Sequence, residues 1–158
     1  MDETEKKANI NNQPIYILLV EDNEADIIIT LRAFEKAKMK NRFMTVRNGE
    51  EALDYMYHRN KYADQDTFPY PDLILLDINM PRLDGFGVLK QLKEDSQLKI
   101  IPVIMLTSSK NKEEVARSYR YGAASFIQKP VHYEEFMEVV TGFNSYWHTI
   151  TTLPHLSK

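Results

Sequence analysis

An α/β fold, with parallel strands alternating with helices, follows from three observations on this 158-residue chain. Short apolar runs at Ile17-Leu18-Leu19-Val20, Leu73-Ile74-Leu75-Leu76, Val103-Ile104-Met105-Leu106 and Phe126-Ile127-Gln128 are continuous rather than alternating, as in strands buried on both faces. Stretches with apolar residues at helical spacing separate them. Each run ends on a polar group suited to phosphate or metal: Glu21-Asp22, Asp77, Thr107 and Lys129. Right-handed crossovers convert a repeated βα order into a doubly wound sheet with helices on both faces. Sites in open α/β sheets form at the carboxyl ends of the strands, so three carboxylates, a hydroxyl and an ammonium converge on one sheet edge.

In chain order, residues 1–13 are polar and charged with little to pack, and read as a disordered leader. After the first strand, Asn23 to Lys38 carries Ile27, Ile28, Ile29, Leu31, Ala33 and Phe34 among charges, a helical pattern whose inward face stays open. Phe43 to Val46 is a short second strand. Asn48-Gly49-Glu50-Glu51 is a turn into a helix through Ala52, Leu53 and Met56, continued by Tyr57-His58. Residues Asn60 to Pro71, with two prolines, form a long loop, and Asp72 begins the third strand. Asp84-Gly85 opens a helix with Val88, Leu89 and Leu92 on one side, and Pro102 turns into the fourth strand. Lys112 to Tyr121 is a helix stopped by Gly122 as a left-handed C-cap. Tyr133 to Trp147 is the last helix, carrying Phe136, Phe143 and Trp147. One domain over 14–149, followed by a tail over 150–158, accounts for the chain.

Acids outnumber bases, 23 to 20, for a net charge of −3, which leaves no electrostatic footprint for nucleic acid. The chain has no cysteine, hence no disulfide and no zinc-thiolate site. No apolar run approaches the ~20 residues that span a bilayer, so the simplest reading is a cytoplasmic protein.

Glu21, Asp22 and Asp77 within a few ångströms of one another would repel unless a cation joined them. Carboxylate oxygens without cysteine or a histidine pair favour Mg²⁺, held by Asp22, Asp77 and the Asn79 backbone carbonyl, with Glu21 acting through its charge or a water. Taken alone, Glu21-Asp22 reads equally as the acidic start of a helix, Asp77 as a loop cap and Thr107 as a strand-closing β-former. Lys129 shifts that balance: an ammonium beside Mg²⁺ suits a phosphoryl group on Asp77, with Thr107 as hydroxyl donor.

These residues resemble the receiver domain of two-component response regulators: Leu-Val-Glu21-Asp22-Asn, Leu-Leu-Asp77-Ile-Asn-Met-Pro, Asp84-Gly85, Leu-Thr107-Ser-Ser and Lys129-Pro130, in order from about Ile15 to Trp147. The resemblance implies a flavodoxin-like (βα)5 fold with strand order 2-1-3-4-5. It implies a phosphoacceptor, Asp77, served by a sensor histidine kinase or histidine phosphotransferase and contacted by Thr107 and Lys129. Ser108, Asn79 and Ser109 would line the phosphate, and Phe126 would occupy the aromatic switch position that is often tyrosine. Lys129-Pro130 would be a cis peptide. The long loop before the third strand and the ending Phe143 to Pro154 resemble the stand-alone receivers that partner bacterial phytochrome kinases.

Tyr146 and Trp147, so near the chain's end, have little left to pack against, which points to a homodimer through the last helix. A haloacid dehalogenase-type phosphatase would want an acid where Asn79 stands, so the expectation is an acceptor with at most slow loss of its own phosphate, not an enzyme. A flavodoxin-like cofactor binder would want a Ser, Thr or Gly-rich loop where Glu21-Asp22 stands. A receiver-like interaction module independent of phosphorylation is the remaining alternative.

Overall fold

A computed structural model describes residues 14–37, 41–108, 111–129, 133–150, 152–154 and 156. The leader, Ser109 and the Lys129-Pro130 peptide lie outside the described residues. Strands β1 (Ile15–Val20), β2 (Asn41–Val46), β3 (Leu73–Leu76), β4 (Val103–Thr107) and β5 (Ser125–Gln128) form one parallel sheet in the order β2-β1-β3-β4-β5. The helices are α1 (Glu24–Lys36), α2 (Gly49–Met56), α3 (Gly85–Glu94), α4 (Lys112–Arg120) and α5 (Tyr133–Asn144). The expected fold class and strand order hold.

Burial on both faces explains the continuous apolar runs of β1, β3 and β4, whereas the run in β5 lies on an edge strand, partly buried at Phe126 and Ile127 and exposed at Gln128. Leu18, Val20, Ile74, Leu76, Val103 and Met105 point to one side, where they pack with Ala52, Leu53 and Met56 of α2 and Phe86, Val88, Leu89 and Leu92 of α3. Their neighbours Ile17, Leu19, Leu73, Leu75, Ile104 and Leu106 point to the other, against Ile27, Ala33 and Phe34 of α1 and Phe136, Val140 and Phe143 of α5. Each buried leucine or isoleucine contributes roughly 1.5–3 kcal/mol over an exposed one, so the strands cannot slide along their axes cheaply.

Helix α1 resolves the ambiguity of three consecutive isoleucines. Ile27, Thr30, Ala33 and Phe34 are buried, while Ile28 and Ile29 are exposed. Side-chain caps start α1 to α4: Asn23 accepts the Asp26 N–H (3.0 Å), Asn48 that of Glu51 (2.8 Å), Asp84 that of Gly87 (2.9 Å) and Asn111 that of Glu113 (2.9 Å). Gly122 takes φ 101° after α4, with the Ala123 N–H on the Ser118 carbonyl (2.9 Å) and the Gly122 N–H on that of Tyr119 (3.0 Å). That pair of bonds is a Schellman cap, as the glycine predicts.

Some expected boundaries shift. Helix α2 stops at Met56 instead of running through Tyr57-His58, because His58 (φ 52°) and Asn60 (φ 55°) turn left-handed. Strand β3 starts at Leu73, although Asp72 already pairs with Tyr16, donating its N–H to the Tyr16 carbonyl and accepting the Tyr16 N–H (2.8 Å each). The long segment before β3 is packed rather than loose. It contains a 3₁₀ turn over Asn60–Tyr62, and the ring of Tyr62 is buried against Tyr55 and Phe68. Tyr55 donates its hydroxyl to the Pro69 carbonyl (2.7 Å) and therefore receives the Tyr16 hydroxyl proton across their 2.6 Å contact.

The last helix is not one regular α-helix to Trp147. It widens after Asn144 into a π-helical turn over Ser145–Ile150. Phe136 and Phe143 are core, as expected. Trp147 does find packing, contrary to expectation: it lies partly buried against the α1–α5 cluster, 6.4 Å from the Phe143 ring centroid, joined by Leu153 of the tail. Tyr146 stays 47% exposed. Among the described residues no helix is long and apolar enough to cross a membrane.

Candidate functional site

Strand order reverses between β1 and β3, and the crevice beyond their carboxyl ends is where ligands of open α/β sheets bind. The ladder continues one residue past each strand there. The Asp77 N–H donates to the Val20 carbonyl (3.0 Å) and the Glu21 N–H to that of Val46 (3.1 Å). Glu21, Asp22 and Asp77 each place a carboxylate oxygen within 4.8 Å of the others. Glu21 and Asp77 are buried, at 2% and 7% exposure, and Asp22 is exposed at the mouth.

Gly85 holds the floor of the site. Its N–H donates to the Ile78 carbonyl (2.9 Å), and α3 begins so close to β3 that a Cβ there would lie 2.3 Å from the Asp77 carbonyl oxygen. Only glycine lets a helix start against the strand end at this distance.

Lys129 enters from the end of β5, where its N–H donates to the Thr107 carbonyl (2.7 Å). Its ammonium lies 2.5 Å from Glu21 Oε2, 3.1 Å from Asp26 Oδ2 and 4.0 Å from Asp77 Oδ1. In this state it is paired with Glu21 and Asp26, and Asp77 is a neighbour rather than a hydrogen-bond partner. Burial would depress the Lys129 pKa, but the Glu21 hydrogen bond and the charges of Asp77 and Glu21 leave it above the usual lysine range. Asp77 moves the other way: burial first and the Glu21 charge second push it up to about 7, against the opposing pull of Lys129.

Thr107 is fully buried at the end of β4, and Ser108 and Asn79 are exposed. Phe126 lies opposite Met105 in the β4–β5 ladder and packs, partly buried, against the α2–α3 cluster. Asp26 is the contact that sequence reasoning missed. Its partner is 103 residues away, and nothing local distinguishes it from the acids that commonly occupy a first helical turn.

The site is rich in anionic oxygen and short of positive charge. A carboxyl with a pKa near 7 among two further acids registers that imbalance, and hard oxygen donors fit a divalent cation of the Mg²⁺ or Mn²⁺ type.

The switch point thus brings together a buried acid, an acidic pair beside it and a lysine from the end of the fifth strand. The family model of the response regulator receiver domain matches residues 17–141, and the chain belongs to that family. It is 33% identical over 144 residues to the response regulator Rcp1 of Synechocystis, covering 91% of this chain and 96% of that protein. A crystal structure of Rcp1 in a Mn²⁺-bound form superposes with a TM-score of 0.80. The phosphorylated cyanobacterial phytochrome response regulator RcpA is 37% identical, with a TM-score of 0.82 over 90% of this chain and 99% of that one. RPA3017, from red light signalling in R. palustris, is 33% identical, with a TM-score of 0.85 over the same shares, 90% and 99%.

Proposed function

We propose that the chain accepts a phosphoryl group on Asp77 from a phosphohistidine of a sensor histidine kinase, phytochrome-like by its relatives, or of a histidine phosphotransferase. Asp22, Asp77 and the Asn79 backbone carbonyl would hold Mg²⁺, with Glu21 contributing its charge. The observation that carries this reading is the buried Asp77 set between an acidic pair and a lysine ammonium at the topological switch point. When bound, Mg²⁺ supplies charge neutralisation for the carboxylates and the transferring phosphoryl oxygens. Asp77 attacks as a carboxylate: the new P–O bond replaces the P–N bond, and the donor imidazole keeps that electron pair. Lys129 then donates to one phosphoryl oxygen, and the Thr107 hydroxyl donates to another.

Incubation with acetyl phosphate and Mg²⁺ should add one hydroxylamine-labile phosphate by intact mass. The label should vanish with a chelator and in Asp77→Asn. Label persisting in that variant would name another acceptor, and no label in the wild type would favour the phosphorylation-independent interaction module.

The face formed by α4, β5 and α5 is the proposed readout. Helix α4 is held lightly: it buries Ser118, leaves Tyr119 51% exposed, and touches β5 through the Phe126 N–H donated to the Tyr119 hydroxyl (3.2 Å). Elements with little apolar burial are the ones that move at low cost. Drawing Thr107 toward a phosphoryl group vacates space beside Phe126, whose ring lacks a hydroxyl and must act by packing. Thr107→Ala should still take phosphate on Asp77 while losing most of the change in self-association that beryllofluoride and Mg²⁺ induce. Sedimentation of both proteins with and without beryllofluoride checks this; identical responses would remove Thr107 from the coupling.

A further inference from the structure

We propose that Asp26 is a positioning residue that holds the Lys129 ammonium on the α1 side of the site until Asp77 carries a phosphoryl group, and so sets how tightly the loaded state is held. The inference rests on the phosphoacceptor reading and adds a residue to it. An ammonium has three donors, and two are occupied here, by Glu21 at 2.5 Å and Asp26 at 3.1 Å, with Asp77 at 4.0 Å outside hydrogen-bond range. A phosphoryl group on Asp77 brings about −1.5 to −2 of charge and three strong acceptors, so it draws the ammonium across the 4.0 Å gap and away from the α1 side.

The two present partners differ in what they lose. The Glu21 side chain is 3% exposed, and stripping a buried carboxylate of its cation is costly. The Asp26 side chain is 40% exposed, and water replaces the ammonium there at little cost. Asp26 is therefore the partner that gives way. Its place is set by the helix: its N–H is capped by Asn23 (3.0 Å), and Ile27, Thr30 and Phe34 fasten α1 to the sheet. It therefore opposes the transfer of Lys129 to an incoming phosphoryl group, and it is an acid added to an already anionic site.

Beryllofluoride, which binds a carboxylate as a phosphoryl mimic, reads this competition directly. At saturating Mg²⁺, Asp26→Asn should bind it about three- to fivefold more tightly than the wild type, the scale of a half-exposed ion pair. Asp26→Glu restores the carboxylate and should return binding toward the wild-type value. The ¹⁵N signal of the Lys129 ammonium should shift in Asp26→Asn before any ligand is added, a change that altered helix stability would not produce. Glu24→Gln removes one charge from the same helix turn, where Glu24 pairs with Arg47 instead, and should leave beryllofluoride affinity unchanged. Equal or weaker binding in Asp26→Asn, or an equal gain in Glu24→Gln, would overturn the proposal. If the wild type binds no beryllofluoride, the phosphoacceptor reading falls, and this inference with it.

Discussion

Freed of divalent cations, the wild-type protein should lose stability relative to Asp77→Asn as pH rises from about 4 to about 7. Burial and the Glu21 charge push Asp77 up to about 7, while the same group in the unfolded chain titrates near 3.9. A carboxyl whose folded pKa exceeds its unfolded one binds more protons when folded. Its stabilising contribution is therefore complete below the unfolded value and is lost as pH climbs through the folded one. The difference amounts to something on the order of 2–4 kcal/mol. Asn carries no charge to desolvate, so Asp77→Asn should be more stable than the wild type above neutrality by about that amount, and close to it near pH 4. Urea unfolding of both proteins in a chelator across this range measures the difference. A gap that stays constant with pH would mean that Asp77 ionises freely, contradicting the buried, cation-poor site described above.

Gly85→Ala should be strongly destabilising although glycine carries no functional group. The added methyl would sit 2.3 Å from the Asp77 carbonyl oxygen and 2.8 Å from Ile78 Cα, both backbone atoms that no rotamer change can move aside. Helix α3 must back away from the strand end, straining the Gly85–Ile78 hydrogen bond and the Asp84 cap, at a cost of about 2–3 kcal/mol. Because the clash bears on Asp77, the proposed acceptor, acetyl phosphate labelling should slow as well. Gly142→Ala on α5 is the matched comparison: nothing lies within 4 Å of its added methyl, so stability should hold or rise by roughly 0.5–1 kcal/mol. Denaturant melts of the two variants decide this. A Gly85→Ala protein as stable as its parent would show that α3 is not seated against the end of β3 as closely as described.

The sheet and its strand-end residues were legible because their signals are local. A four-residue run such as Leu73–Leu76 announces a doubly buried strand, and the polar residue that follows it lands at the carboxyl edge in any parallel sheet. Signals that depend on tertiary partners were not legible. Ile27, Ile28 and Ile29 point in three directions around a helix, and only the sheet beneath decides that Ile27 goes in with Thr30 and Phe34. Trp147 looked stranded because the sequence does not reveal that Phe143, Leu153 and α1 gather beside it. The segment before β3 looked loose for the same reason: Tyr16 and Tyr55, which anchor it, come from β1 and α2. At the site, the acids and the lysine could be named in advance, but not how Lys129 divides itself between Glu21, Asp26 and Asp77. That division is electrostatic and depends on sub-ångström placement across elements more than a hundred residues apart in the chain.

The claim at the centre of this account is that the acyl group phosphorylated is that of Asp77, and borohydride trapping tests it most directly. Reduction of an acyl phosphate leaves homoserine at the residue that carried it, so protein treated with acetyl phosphate and Mg²⁺, reduced and sequenced by peptide mass spectrometry should show homoserine at position 77. Homoserine at another aspartate, or a phosphate that survives reduction on a hydroxyl or imidazole side chain, would contradict it.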